Sequence, residues 1–391
     1  MLIVAMVRKI LIFLIDLCLC GVFPQRVWRK PRSQSDPKQI LVCRTDHIGD
    51  VFLSIPAFNA IRAHFPKAQV VLLVASWANP VVEELDCYDE VWVCDPPWWA
   101  HRRNARFGLR ESRGTWSELA RMIWRIRHHQ FDLCFDLRGD VRDLVAFGAL
   151  GGARQLVSRS RNGGALLADW APRIDEMKHE IDQNLELLAG FGVPLAPPRF
   201  GKFFAQRELP GICSLLESMR RREFSPVLLV HPGGKPVNCW PERHYAALLE
   251  RLSSEFEDLV VILTGGASEA PLCERLAEQL PGRAISLAGK LTLRETAACM
   301  ASVDAVVMAD TGPMHFLNAV VTPAILLFGP TLPVRFAPRR PGVRVVHGSA
   351  CCADVLHERC RHSAFSEPGR CMETIEVSEV LVLIRESLVS R

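Results

Sequence analysis

The strongest constraint on the fold is a pattern that occurs twice. Short apolar runs, each closed by a polar turn and followed by a helical stretch, fill the first half of the chain and then restart in the second. In the first series the runs are Gln39–Arg44, Val70–Val74, Glu90–Cys94, Phe131–Leu137 and Gln155–Ser158. Helices are expected at Phe52–His64, around Pro80–Leu85, at Trp116–His129, after Asp140 and at Glu180–Ala189. The second series runs through Pro226–Val230, Leu259–Leu263, Ala284–Leu287, Ala305–Met308 and Pro323–Leu327. Its helices are expected at Glu242–Phe256, from the Gly265 turn through Leu280, at Thr292–Ser302 and after Asp310–His315. Apolar runs buried on both faces and alternating with helices form parallel sheets with right-handed crossovers. At 391 residues and 49% hydrophobic content the chain is too long for one ordinary core and suits two. The expected fold class is therefore α/β, with two Rossmann-like domains facing a central cleft and ligands at the carboxyl ends of the strands. The polar, proline-bearing Pro31–Lys38 reads as a linker, and Pro194–Pro226 brackets the boundary between the halves. The expected division is an N-terminal segment at 1–36, a first domain at 37–205 and a second at 206–391.

The formal net charge of +4 gives no reason to expect a nucleic-acid partner. The charge is uneven, however. Arg102–Arg127 is rich in arginine, with Glu111 and Glu118 as its acids, and reads either as a solvated helix face or as a surface for an anionic partner such as a phosphorylated glycolipid. Cys43, Cys94 and Cys134 lie in apolar runs and read as small buried hydrophobes in a reducing compartment. Cys351, Cys352, Cys360 and Cys371 are clustered, with His357 and His362 nearby; free or packing thiols are favoured there over zinc, and no metal is assigned. Met1–Val7 and Ile10–Phe23 are apolar, with Arg8 and Lys9 between them and Arg26, Arg29, Lys30 and Arg32 after. The stretch is interrupted by Asp16 and is short for a span. It reads as an anchor on an anionic cytoplasmic leaflet, with a helix packed on the protein or a targeting segment as alternatives.

Four turns at strand ends carry the candidate chemistry. The first, Asp46-His47-Ile48-Gly49-Asp50, holds an acid just beyond a glycine at a helix start. Asp50 there is a helix cap or a base that accepts a proton from an attacking hydroxyl. The second, His231-Pro232-Gly233-Gly234-Lys235, combines exposed backbone N–H groups with a cation and reads either as a phosphate site or as an ordinary strand-to-helix loop. The third, Thr264-Gly265-Gly266 with Glu269, is a ligand contact or a plain tight turn. The fourth, Asp310-Thr311-Gly312-Pro313-Met314-His315, opens an expected helix whose N-terminus suits a pyrophosphate, with Asp310 facing sugar hydroxyls. The absence of a GxGxxG fingerprint disfavours a dinucleotide dehydrogenase.

These residues resemble glycosyltransferase family 9, the bacterial heptosyltransferases. The segment RTDHIGDVFLSIPAFNAIRAHFP is similar to the family's N-terminal signature, and HPGG…WPERHYAALLERL, LTGGASE, DTGPMH and LFGPT follow in the family's order. The resemblance implies a GT-B fold, with the acceptor on the N-terminal domain and the nucleotide sugar on the C-terminal one. It implies inverting transfer of a heptose from ADP-heptose to the lipopolysaccharide core, with Asp50 as the base and no cofactor. On this reading Asp46, His47, Gly49 and Arg138 bind an anionic glycolipid or oligosaccharide acceptor. Gly234, Lys235, Thr264, Gly265, Glu269, Asp310, Thr311, Gly312 and His315 bind the donor. The enzyme would then work at the inner face of the cytoplasmic membrane. One departure stands out: Asn238 occupies the position, two residues before Trp240-Pro241, where the family often has lysine. It leaves room for another nucleotide sugar or for a catalytically silent sugar-nucleotide-binding protein, and the fold by itself also admits a sugar-nucleotide epimerase.

Overall fold

The computed structural model describes residues 12, 14–27, 36–98, 114–175, 177–201, 203–204, 208–220, 222, 225–349 and 369–389. The described residues form two compact units, one ending at Arg199 and the other beginning at Phe200.

The first unit contains a five-stranded sheet of β1 (Gln39–Arg44), β2 (Gln69–Val74), β3 (Glu90–Val93), β4 (Leu133–Asp136) and β5 (Gln155–Val157), in the order β3-β2-β1-β4-β5. Every pairing is parallel. β1 is central, and Ile40 to Arg44 are all buried, which is why the run lacks the alternation of a half-exposed strand. The helix Trp116–His129 lies where its sequence predicts. Leu119, Met122 and Ile126 bury one stripe, and Thr115 and Glu118 form a capping box at its start. It ends at Gln130, whose φ of 58° is left-handed. The helix expected at Phe52–His64 is two pieces, Ile48–Phe52 and Ile55–His64, divided at Leu53-Ser54 ahead of Pro56.

The second unit contains six parallel strands: β6 (Val227–His231), β7 (Val260–Leu263), β8 (Ala284–Ser286), β9 (Ala305–Ala309), β10 (Ala324–Phe328) and β11 (Val343–His347). Their order is β11-β10-β9-β6-β7-β8, with β6, β9 and β10 buried throughout. The helix Glu242–Glu255 starts at Pro241, while the Trp240 indole donates to the Ile375 carbonyl at 3.1 Å. That bond ties the start of helix Glu242–Glu255 to the segment leading into helix Val377–Val389. The helix expected after Asp310 is a 3-10 helix, Gly312–Asn318. Met314 to Leu317 are all buried in that turn.

Residues 14–22 are helical, and this segment lies on the first unit. Leu19 and Phe23 join its core, the Asp16 carboxylate accepts from the Gly164 amide, and Arg26 donates to the Ala153 carbonyl. Asp16, which breaks the apolar run in the sequence, is thus a packing contact. Leu14, Leu17 and Val22 remain 48%, 58% and 69% exposed. No described helix is long and apolar enough to cross a membrane. Residues 1–11 of the expected anchor, residues 102–113 of the basic stretch, and Cys351, Cys352, Cys360, His357 and His362 lie outside the described residues. Cys43, Cys94, Cys134 and Cys371 are buried free thiols.

Candidate active site

In each unit the chain reverses its direction of travel across the sheet at one junction, β1/β4 in the first and β6/β9 in the second. Loops leaving the carboxyl ends of such strands diverge and open a crevice for ligands. All four candidate turns leave strands at or beside these junctions.

At the first junction the last residue of β1, Arg44, is buried and governs the turn. Its guanidinium lies 2.9 Å from Asp46, 3.1 Å from Glu180 and 3.5 Å from Asp50, and it also donates to the Leu137 carbonyl at the end of β4. Glu180, in the first turn of helix Glu180–Gly190, accepts a second guanidinium from Arg159 at 2.7 Å. Burial opposes the charged form of Glu180, but Arg159 and Arg44 outweigh it and hold this carboxyl below its usual range. Burial raises the Asp46 carboxyl to about 7, against the pull of Arg44, and the Asp50 charge adds to the rise. Burial likewise depresses the Arg159 pKa, with Glu180 opposing.

His47 is the N-cap of helix Ile48–Phe52 and makes no capping bond through its side chain. Asp50 sits in the first turn of that helix and Gly49 is buried within it. The side chain of Asp50 is 25% exposed, against 7% or less for Arg44, Asp46 and Glu180. Asp50 is therefore the carboxylate of this cluster that reaches solvent, where a hydroxyl can approach it. Arg138 is buried at the end of β4, paired with Asp143 at 2.6 Å and Asp140 at 3.2 Å. Asp143 also accepts from Thr45 and from the Trp98 indole, each at 2.9 Å, which stitches the β1 and β4 loops together.

At the second junction, Gly234 has a φ of 141°, a conformation that L side chains rarely adopt, and a Cβ there would stand 3.4 Å from that of Thr311. The β6 and β9 loops thus touch at Gly234 and Thr311, with Lys235 exposed beside them. Asn238 Nδ2 donates to the main-chain oxygen and to Oδ2 of Asp310, both at 3.1 Å, and Thr331 Oγ1 donates to the same Oδ2 from the loop after β10. Glu269 packs so closely on Gly233 that a Cβ there would fall 2.6 Å from its Cγ. Its carboxylate accepts from the Gly266 amide at 2.7 Å and from Ser268 at 3.0 Å. Thr264 is buried and within 3.0 Å of His231 Nδ1, joining the ends of β6 and β7; burial lowers the His231 pKa to about 4. Gly265 packs against Glu269, Gly312 opens the 3-10 turn, and His315 is buried.

Gly234, Asp310 and Thr311 therefore meet, with Glu269 against Gly233 next door. Arg44, Glu180, Arg159 and Thr331 belong to the same clusters, and no spacing rule points to them. Among the described residues no group of histidine, cysteine and carboxylate side chains could hold a metal ion.

The model for glycosyltransferase family 9 (heptosyltransferase) matches residues 119–365, well over half of the chain. The chain belongs to that family. It is a glycosyltransferase of GT-B fold, built from two parallel-sheet α/β units. The Asp46–Asp50 turn lies ahead of the matched span, and the donor turns lie within it. Lipopolysaccharide heptosyltransferase 2 of Salmonella typhimurium is 24% identical over 79% of this chain and 87% of its own length. Lipooligosaccharide heptosyltransferase 2 of Haemophilus influenzae is 38% identical over a shorter stretch, 28% of this chain and 32% of that protein. Among solved structures, Escherichia coli ADP-heptose lipopolysaccharide heptosyltransferase II has a TM-score of 0.68 at 18% identity, covering 90% of this chain and 99% of that one. At that identity the likeness establishes the fold of the family 9 enzyme.

Proposed function

We propose that this family 9 enzyme transfers a heptose, with inversion, from ADP-heptose to the lipopolysaccharide core or a related glycolipid. The observation that carries the reading is the meeting of Gly234, Asp310 and Thr311 at the β6/β9 junction, with the exposed Lys235 alongside. Backbone N–H groups and a cation at such a junction suit a pyrophosphate, and a carboxylate beside them suits sugar hydroxyls. Thr264, Gly265, Glu269, Gly312 and His315 complete the donor side. The names of the relatives supply the sugar and the acceptor class.

On the first unit, Asp50 takes the proton of the acceptor hydroxyl as its oxygen attacks the anomeric carbon. The bond from that carbon to the β-phosphate oxygen breaks and ADP departs. Lys235 and the surrounding N–H groups offset the charge that develops on it. The Arg44 guanidinium, 3.5 Å away, holds the Asp50 carboxylate in place for that task. Asp46 and Arg138, being buried in ion pairs, shape the acceptor side from beneath, while His47 and Gly49 form its lip. The outward-facing Leu14, Leu17 and Val22 and the basic residues that follow suit contact with an anionic membrane at the cytoplasmic face.

Calorimetry with ADP, UDP, GDP and their sugar conjugates tests the donor. Selective binding of ADP and ADP-heptose is expected, and selective UDP or GDP binding refutes the heptose assignment. Asp50→Ala is expected to lower turnover by about 100-fold or more while donor affinity stays unchanged. Retained turnover in that variant removes Asp50 from its role.

A further inference from the structure

Asn238 is the residue that departs from the family's usual lysine, and the donor reading above gives it no task. Its environment does. Asn238 is almost fully buried, and its single Nδ2 group faces two oxygens of one residue, the main-chain carbonyl and Oδ2 of Asp310. A carboxylate oxygen and a carbonyl only accept, so the amide nitrogen, not its oxygen, must point there. Thr331 donates its hydroxyl proton to the same Oδ2.

The three residues come from loops after β6, β9 and β10, neighbouring strands of one sheet. A lysine at 238 would carry its charge on a flexible stem and set a cation against the carboxylate. The neutral, short asparagine instead fixes the direction of Asp310 without cancelling its charge. Two donors converging on Oδ2 anchor that oxygen and fix the plane of a carboxylate that is itself partly exposed where the loop begins.

We propose that Asn238 and Thr331 are positioning residues that aim Asp310 at the hydroxyls of the donor sugar, so that they govern recognition of the sugar and not of the nucleotide. The inference rests on the donor reading of the second unit and deepens it. Asn238 is thus a built clamp of a working site and not the scar of a lost one.

The test is calorimetric titration of the wild-type enzyme and of Asn238→Asp, Thr331→Val and Thr331→Ser with ADP and with ADP-heptose. Asn238→Asp keeps the shape, removes the donor and sets a like charge against Asp310. Thr331→Val keeps the shape and removes the hydroxyl, and Thr331→Ser restores it. The expected result is ADP affinity within about twofold of wild type in every variant. ADP-heptose affinity falls about tenfold in Thr331→Val and further in Asn238→Asp, as expected for loss of a hydrogen bond to a charged group. It recovers in Thr331→Ser.

Equal loss of both ligands overturns the proposal, because a merely structural role would damage the whole loop. Unchanged binding of both overturns it as well. If Asn238→Asp fails to fold, the Thr331 pair decides the matter alone. If wild-type enzyme binds neither ligand, the donor reading falls and takes the inference with it, an outcome distinct from wild-type binding with no discrimination among variants.

Discussion

Glu180→Gln is the sharpest probe of the network beneath the candidate base. One oxygen of Glu180 receives both the Arg44 guanidinium at 3.1 Å and the Arg159 guanidinium at 2.7 Å. Glutamine keeps a carbonyl oxygen able to accept in the same place, so the substitution removes charge and little else. A hydrogen bond to a charged group contributes about 1.5–3 kcal/mol and a neutral one about half of that. Two bonds weakened, with two buried guanidiniums left short of a counter-charge, give a cost of about 3 kcal/mol. Deleting the acceptor outright, in Glu180→Leu, costs about 5 kcal/mol. The pH dependence follows from the direction of the shift. Glu180 is held below its ordinary 4.5 in the folded protein, so its stabilisation is fully present above that value. It is lost as pH falls through the lower, folded value. The gap between wild type and Glu180→Gln is therefore full at pH 7 and closes in acid below 4.5. Urea unfolding read through hydrogen exchange of β1 and β4 amides reports this unit separately from the other. A gap under about 1 kcal/mol at pH 7, or one as wide well below the titration range as above it, would falsify the assignment of this ion pair as a stabilising element.

Other consequences are open to simpler measurements. His231, buried and lowered to about 4, is expected to stay neutral down to that range. Its NMR resonance should be flat where an ordinary histidine titrates, and its contribution to stability is lost as pH falls from about 6.5 towards 4, where the unfolded chain binds the proton first. A midpoint near 6.5 would show that the site is wetter than its packing implies. Gly234→Ala must hold a φ of 141° with a Cβ against Thr311, so ADP affinity should drop about tenfold; wild-type affinity would mean that the β6 loop does not shape the nucleotide site. Leu14→Glu with Leu17→Glu should release the enzyme from anionic vesicles while leaving turnover on a soluble acceptor intact, and retention on the vesicles would place the membrane contact elsewhere.

The inner strands of both sheets were legible because strands buried on both faces are written as continuous apolar runs. Helix Trp116–His129 was legible because its buried stripe and its capping box sit in local sequence. The signal weakens at β11, an edge strand whose exposed Arg344 and His347 dilute the apolar run, and no periodicity drew attention to it. The turn after Asp310 reads as a helix start because glycine and proline open it, but the local sequence does not tell an α-helix from the 3-10 turn found there. Candidate site positions at Gly234, Asp310 and Thr311 could be read from turn chemistry. The partners that orient them could not. Arg44 and Glu180 are 136 positions apart, and a terminal arginine on a strand looks like a residue bound for water until the chain has folded over it.

The order of strands also says when the site comes into being. β1 finds β2 soon after synthesis, since Gln39 faces Gln69, but its other neighbour is β4, where Cys43 faces Asp136. Likewise β6 must wait through β7 and β8 before β9 arrives to cover its other flank. Each candidate site lies across the late pairing, where closing the long loop costs the most entropy before any contact rewards it. A nascent chain that has lengthened past β2 already owns a hydrophobic ribbon, yet Asp50 has no settled surroundings until β4 docks, so the turn proposed to carry the base takes shape after the strand pair it leaves.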